Sequence, residues 1–536
     1  MLPLRLLCAL ALLTASALFA ADSSSPLSQR IDQIIAAPAD IPLADDAEFL
    51  RRVTLDLTGT IPTATDARTF FVDNAADKRE KLIDKLLASP EHARHLAIVF
   101  DVLLMDRRAA THVPAVGWHE FLRESFATNK PYDQLVREIL ASDGTDAKTR
   151  PAARFVLDRQ ADSLQLTRDI SRLFLGRNIQ CAQCHDHPQI DDYKQQHFYG
   201  IQAFLNRSAV FPDAKGATIA EKAEGDVNFS SVFDKSKTIR MTGPKLLTLP
   251  AVMEPKLEKG KEYKVVPAKG VRHIPTFSRR EQLPGVLTST NNPSFARTAV
   301  NRLWALLMGR GLIHPLDMDH SDNPPSHPEL LDALTKEFVD HKYDVRHLLG
   351  VIAKSKAYQR TSIVPANMQQ VEPEKFFVAA LKPLTPEQFC FSLMQATGVT
   401  DSERLALAKT LTEPILYARI SPNLGSFVSM FGKQPGQPDD GNFNSTLEQT
   451  LFLRNGNVVR SWLPARNGNL CDRVLKLADV NAQVDELFVS VFTRKPTDEE
   501  RKEVTALLQS PSADRSAQVA EIIWALITSA EFRFNH

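Results

Sequence analysis

The chain has 536 residues, with 64 Lys+Arg against 64 Asp+Glu, and so carries no formal net charge. That balance leaves no electrostatic footprint for nucleic acid, and the length suits two or three domains with ordinary buried cores. Five cysteines in a chain of this size exclude a disulfide-dense scaffold.

The first twenty residues, MLPLRLLCALALLTASALFA, place one early Arg5 before an apolar run from Leu6 to Leu13. Small residues then extend to Ala20 and Ala21. This layout predicts a secretory signal over residues 1–21, too short and wrongly flanked for a membrane span. The expectation is an exported protein, periplasmic or extracellular, with no integral membrane segment after cleavage. Cys8 would leave with the signal, and Cys181, Cys184, Cys390 and Cys471 would remain.

Helical periodicity dominates the chain beyond the leader. LRRVTLDLTGTIPT (50–63) reads as an apolar segment leaving through Thr-Gly-Thr-Ile-Pro into a loop. KREKLIDKLLAS (78–89), PYDQLVREILAS (131–142) and SLQLTRDISRLFLG (163–176) each carry an apolar stripe and a stop signal. His92 and His95, three apart in SPEHARHLA, read as two surface histidines. Residues 208–280 lose helical periodicity. Lys, Gly and Pro surround short extended runs such as KTIRM (237–241) and EYKVVPA (262–268), so this stretch reads as an irregular insert with some β-structure. Helices resume with NPSFARTAVNRLWALLMG (292–309), opened by Asn292-Pro293. Capping boxes are expected at Ser326 with Glu329, Thr385 with Gln388 and Thr497 with Glu500. The fold class is therefore mainly α, with helical domains over 27–207 and 281–536 joined by the insert.

CAQCHDHP (181–188) carries the clearest chemistry, just past the helix 163–176. Covalent attachment of a c-type haem needs two thiols close enough to add across both vinyl groups, with an imidazole beneath the iron. Cys181 and Cys184 would supply the thioethers and His185 the proximal ligand. Export favours this, because that haem is attached outside the cytoplasm. Met241, Met253, His197, Met308 and Met318 are all candidates for the second axial ligand. Two other readings stand beside it. Cys181, Cys184, His185 and His187 could contribute to a divalent metal site such as zinc, or the two thiols could form a redox or structural disulfide.

LDMDHSDNPPSHPE (316–329) groups Asp317, Asp319 and His320 with further acidic and histidine residues, a donor set for a divalent metal or acid–base chemistry. Its turn formers and the Ser326–Glu329 cap explain the same residues without any ligand. Cys390 reads as a core cysteine and Cys471 as another; a disulfide between them is unforced. The chain shows no GxSxG, Walker loop, GxGxxG or HExxH.

FLRRVTLDLTGTIPT (49–63), IQCAQCHDHP (179–188) and HFYGIQAFLNR (197–207) together resemble the DUF1549 domain, also called planctomycete cytochrome C domain 2. NPSFARTAVNRLWALLMGRGLI (292–313), NPPSHPELLDAL (323–334), SKAYQRTS (355–362) and LFVSVFTRKPTDEE (487–500) resemble the DUF1553 domain, or PSD1. The resemblance implies an exported, mostly helical, two-domain protein of planctomycetes or related bacteria. Relatives tend to continue from HP into a segment like FDPW, where this chain has QIDDY (189–193); 320–323 likewise reads HSDN where they tend to show phenylalanine and glycine. The leading expectation is a c-type cytochrome-like protein transferring electrons to a redox partner, with haem on Cys181, Cys184 and His185. The alternative is a non-haem metal-binding or partner-binding scaffold. A hydrolase built on the Asp317–Glu329 cluster is a third, weaker reading.

Overall fold

Residues 25–366, 368, 370–433 and 446–536 are described by the structure, a computed structural model. The secretory signal expected over residues 1–21 lies outside the described residues. The expected helices form at Lys78–Leu87, Tyr132–Ala141, Ser163–Leu175, Pro293–Met308 and Pro328–Asp340. The architecture is mainly α, and its strands form only two-stranded sheets. Among the described residues no helix is long and apolar enough to cross a membrane.

Residues 208–275 hold six short strands paired in three antiparallel hairpin-like units. KTIRM leads into the strand Arg240–Thr242, which pairs with Val227–Phe229, and Tyr263–Val265 falls inside EYKVVPA. These short pairs cannot bury two faces, so they lean on the helical body. Phe229, for example, stacks on Tyr199 at 4.6 Å and 9°.

The LRRVTLDLT segment is the helix Asp46–Thr58, capped by the Asp45 carboxylate on Glu48 N (2.8 Å) and closed by Gly59 at φ 73°. It is buried all round because it lies between two hydrophobic cores. Phe49, Leu50, Val53 and Leu57 join a large core built largely from residues 27–376, whereas Leu55 joins a second core built largely from 389–532. Each such side chain contributes about 1.5–3 kcal/mol on burial. The interior therefore divides near residue 380, well after the insert.

The polar residues of this helix tie the cores together. Arg51 donates to Val491 O (3.1 Å) and Phe532 O (3.4 Å), and Arg52 to Tyr358 O (2.9 Å) and Arg360 O (2.8 Å). One Asp56 oxygen accepts from Lys382 Nζ (2.6 Å) and Asn535 Nδ2 (2.7 Å), and the other from Tyr358 O–H (2.9 Å). Burial pushes the Asp56 carboxyl up and the Lys382 ammonium down, while their mutual attraction opposes both shifts.

Three local expectations need correcting. His92 and His95 are not surface residues: they are 1% and 4% exposed, because the helix Pro90–Met105 packs this face on Asp46–Thr58. No capping box forms at Ser326 and Glu329; His327 occupies the cap position, and Ser326 N is spent on Leu312 O (2.8 Å). Asn292 sits at its cap position but donates from Nδ2 to Leu287 O (2.6 Å) instead of capping. The boxes at Thr385–Gln388 and Thr497–Glu500 both form. Cys390 and Cys471 are buried and form no disulfide, and burial pushes the Cys390 thiol up to about 12.

Candidate functional site

The helix Ser163–Leu175 delivers the CAQCH turn. Its N-terminus is capped by Asp162 on Leu164 N (2.9 Å) and Gln165 N (3.0 Å), and it ends at Gly176 in the left-handed region, φ 66°. A Cβ at Gly176 would sit 2.9 Å from Thr298 Oγ1, so the chain can turn here only against the second block. Beyond that glycine, residues 176–178 pair with 317–319: Asp319 N donates to Gly176 O (2.9 Å), Asn178 N to Asp317 O (2.7 Å), and Arg177 bridges Met318. Two stretches more than a hundred residues apart in sequence thus form one surface. Ser321 N on Asp192 Oδ2 (2.6 Å) and the edge-on contact of Tyr193 with His320 (5.6 Å) extend it.

The turn is held from below. Ile179 and Ala182 are buried, and Gln183 O accepts from Tyr199 O–H (2.9 Å) and Gln195 Nε2 (3.4 Å). Asp186 accepts from Gln195 N (2.7 Å) at the start of the helix Gln195–Gln202. Burial raises the Tyr199 hydroxyl, with the neighbouring Cys184 adding to it. Above this support Cys181 and Cys184 are both exposed and unbonded, on the short 3-10 turn Gln180–Gln183 and its cap.

The two histidines of the motif are set differently. His185 Nδ1 lies 2.6 Å from Asp186 O. A carbonyl only accepts, so Nδ1 carries the hydrogen and Nε2 keeps its lone pair. That is the tautomer a metal-ligating histidine adopts when its second nitrogen is pinned by a carbonyl. His187 Nδ1 instead accepts from Gln189 N (3.2 Å) and Ile190 N (3.0 Å). Its lone pair is thereby consumed, leaving Nε2–H as a donor. The geometry equips His185 to bind a metal and not His187.

The other expected donors are near but do not converge. Asp317 accepts from Asn178 through its backbone; Asp319 lies 3.8 Å from the Arg297 guanidinium; His320 Nδ1 is buried without a hydrogen-bond partner. Among the described residues, one trio of His, Cys, Asp or Glu brings its ligand atoms within 4.8 Å of one another. It is Glu337, His341 and His347, which the sequence pattern did not single out. Of the axial candidates, His197 and Met308 are buried, and burial lowers the His197 imidazole. Met318 is partly buried, and Met241 and Met253 are exposed.

Sequence reasoning also missed what the insert brings to the motif. Val232 N donates to Cys184 O (3.0 Å), and the Phe233 ring lies 4.6 Å from the His185 ring. Val232, Phe233, Ile239 and Met241 are all large, apolar and exposed. Their cluster within ten residues of KTIRM was the available signal.

A mainly helical protein with a CxxCH turn wedged between two sequence blocks is the class these features define. A family model described as PSCyt2, protein of unknown function (DUF1549), matches residues 30–210. A second, PSD1, protein of unknown function (DUF1553), matches residues 279–508. The chain thus belongs to the proteins that join a DUF1549 to a DUF1553 domain. No curated protein and no solved structure matches it.

Proposed function

We propose that the chain is an exported c-type haem protein that passes electrons to a redox partner, with the cofactor on Cys181, Cys184 and His185. The observation carrying this reading is the state of those three side chains: two exposed, unbonded thiols beside an imidazole whose Nδ1 is pinned and whose Nε2 is free. The residues fit the group, because thioether formation needs accessible sulfurs and axial ligation needs an Nε2 lone pair.

Bound haem would supply one-electron redox chemistry. The rest is the work of this chain. The Asp186 carbonyl fixes the orientation and tautomer of the His185 ring, which presents Nε2 as the ligand. Phe233, lying against that ring, and the exposed Val232, Ile239 and Met241 give the insert apolar surface to exclude water beside the turn. The clamp between 176–178 and 317–319 holds the turn's entry fixed, which limits reorganisation on electron transfer. The same exposed edge would meet the redox partner.

The test is the visible spectrum of the full-length chain, expressed with its leader in a host that matures c-type cytochromes. An intense Soret band is expected, retained through denaturation because attachment is covalent. Cys181→Ser/Cys184→Ser should abolish it, and His185→Ala should alter it. A colourless wild-type protein from a host that matures a control cytochrome would overturn the reading.

A further inference from the structure

Between the paired strands Val227–Phe229 and Arg240–Thr242 the insert makes one loop, and residues 232–241 read VFDKSKTIRM. Four of these ten residues are large and apolar, three are Lys or Arg, and Asp234 is the one carboxylate. The apolar four all face solvent: Val232 is 67% exposed, Phe233 73%, Ile239 74% and Met241 69%. Lys235, Lys237 and Arg240 are exposed as well. Among the described residues, the ion pairs of this region use Arg207, Arg272 and Arg279 instead of those three cations.

The loop is pinned along its length. At its base Phe229 is buried against Tyr199, and Val232 N donates to Cys184 O (3.0 Å). At its tip Asp234 accepts from Ser236 N (3.0 Å), Ser236 Oγ (2.7 Å) and Thr238 N (3.1 Å). Those bonds hold its carboxyl down at about 2. The pleat then turns Met241 outward: its partner Asn228 is exposed, while Val227 and Phe229 on either side of Asn228 are buried. The fold itself holds these apolar side chains away from the core.

Single exposed apolar residues are ordinary, but four within ten positions, interleaved with cations, mark a contact surface. The surrounding charge selects the sign of what it contacts. Residues 230–272 carry ten Lys or Arg against four Asp or Glu, in a chain that balances 64 against 64. An anionic surface is the complement. Size selects the kind of surface. A stable protein–protein interface takes about 20–30 residues a side, more than one ten-residue loop offers. An anionic bilayer needs less: a few apolar side chains at headgroup depth, and cations whose long stems reach back to the phosphates.

We propose that the loop 232–241 docks the protein on an anionic phospholipid surface. Val232, Phe233, Ile239 and Met241 enter the headgroup layer, and Lys235, Lys237 and Arg240 meet lipid phosphates. The attachment is peripheral, made by side chains and not by a spanning helix. Phe233 also lies 4.6 Å from the His185 ring, so docking brings the CAQCH turn to the membrane. The proposal stands on the loop alone, whatever the turn carries.

The test is sedimentation of the exported chain, its leader removed, with vesicles of phosphatidylcholine alone or containing about a third phosphatidylglycerol. Binding to the anionic vesicles is expected at about 0.15 M salt, weakening at about 0.5 M, with at least about tenfold less binding to the neutral ones. Val232→Ser/Phe233→Ser should weaken it at least about tenfold, and Lys235→Gln/Lys237→Gln about fivefold for each cation removed. Val116→Ser, at an exposed position of the helix Ala115–Ala127, should change nothing. Circular dichroism on each variant separates lost binding from lost folding. The Cys181→Ser/Cys184→Ser chain should bind as the parent does, so failure of the haem reading would leave the result intact. No association with anionic vesicles, equal association with neutral ones, or unchanged association of folded Val232→Ser/Phe233→Ser would each overturn the proposal.

Discussion

Two regions of this molecule use polar residues in opposite ways. Around Asp56, deep between the cores, both carboxylate oxygens are taken by Lys382, Asn535 and Tyr358, and the neighbouring Arg51 and Arg52 donate to backbone carbonyls. At the CAQCH turn the supporting groups are hydrogen-bonded too, but Cys181, Cys184 and the Nε2 of His185 are left free at the surface. The contrast separates two kinds of sequence motif. LRRVTLDLTGT is explained by architecture, whereas CAQCH is held by the architecture and not used by it. A side chain that the fold positions but does not consume is where chemistry is to be sought.

The comparison breaks most visibly at the seam. Asp56→Ala leaves the Lys382 ammonium buried without its carboxylate and should cost about 3–5 kcal/mol in urea unfolding. A loss below about 1 kcal/mol would mean the seam is not what joins the cores.

The next largest effect is pH dependence from His92 and His95. Burial lowers their pKa values to about 4 and about 3, and both Nε2 atoms are buried without partners. In the unfolded chain they protonate near pH 6.5. The unfolded state therefore binds more protons between those values, so stability present above pH 6.5 is lost as pH falls toward 4. At pH 5 the loss should be about 2 kcal/mol per histidine. Urea midpoints at pH 7 and pH 5 measure it. The difference between them should shrink in His92→Gln/His95→Gln, and equal shrinkage in a variant of the half-buried His112 would count against the assignment.

Smaller still is the difference between two caps that look alike in sequence. Thr497→Ala removes a formed capping box and should cost about 1 kcal/mol, while Ser326→Ala should cost under about 0.5 kcal/mol. Thermal melts of the two variants side by side decide it. The smallest effect is expected at the turn: Cys181→Ser/Cys184→Ser, with the protein prepared without cofactor, should leave unfolding within about 0.5 kcal/mol of the parent. A large loss would show the thiols serving the fold after all.

Legibility in the sequence divides along the same line. Local signals were reliable: apolar stripes located the helices, Gly176 ended one where expected, and two of three capping boxes formed. Ser326 failed because a tertiary contact, Leu312 O, took the backbone group that the box would have used. His92 and His95 were misplaced because a spacing of three says they share a face but not what covers it. The pairing of 176–178 with 317–319 was illegible for a related reason: it joins segments from different blocks through backbone atoms, which leave no mark on residue type. The tautomers of His185 and His187 depend on carbonyls and amides up to three residues away, so the motif alone could not rank the two rings. The Glu337, His341 and His347 spacing was present but needed the turn to become a cluster.

The most direct measurement is the mass of the protein purified from the maturing host after alkylation under denaturing conditions. The account expects Cys390 and Cys471 to be alkylated, with the peptide containing Cys181 and Cys184 carrying the mass of one haem and no alkyl group. Alkylation of both Cys181 and Cys184, with no added mass, would contradict it.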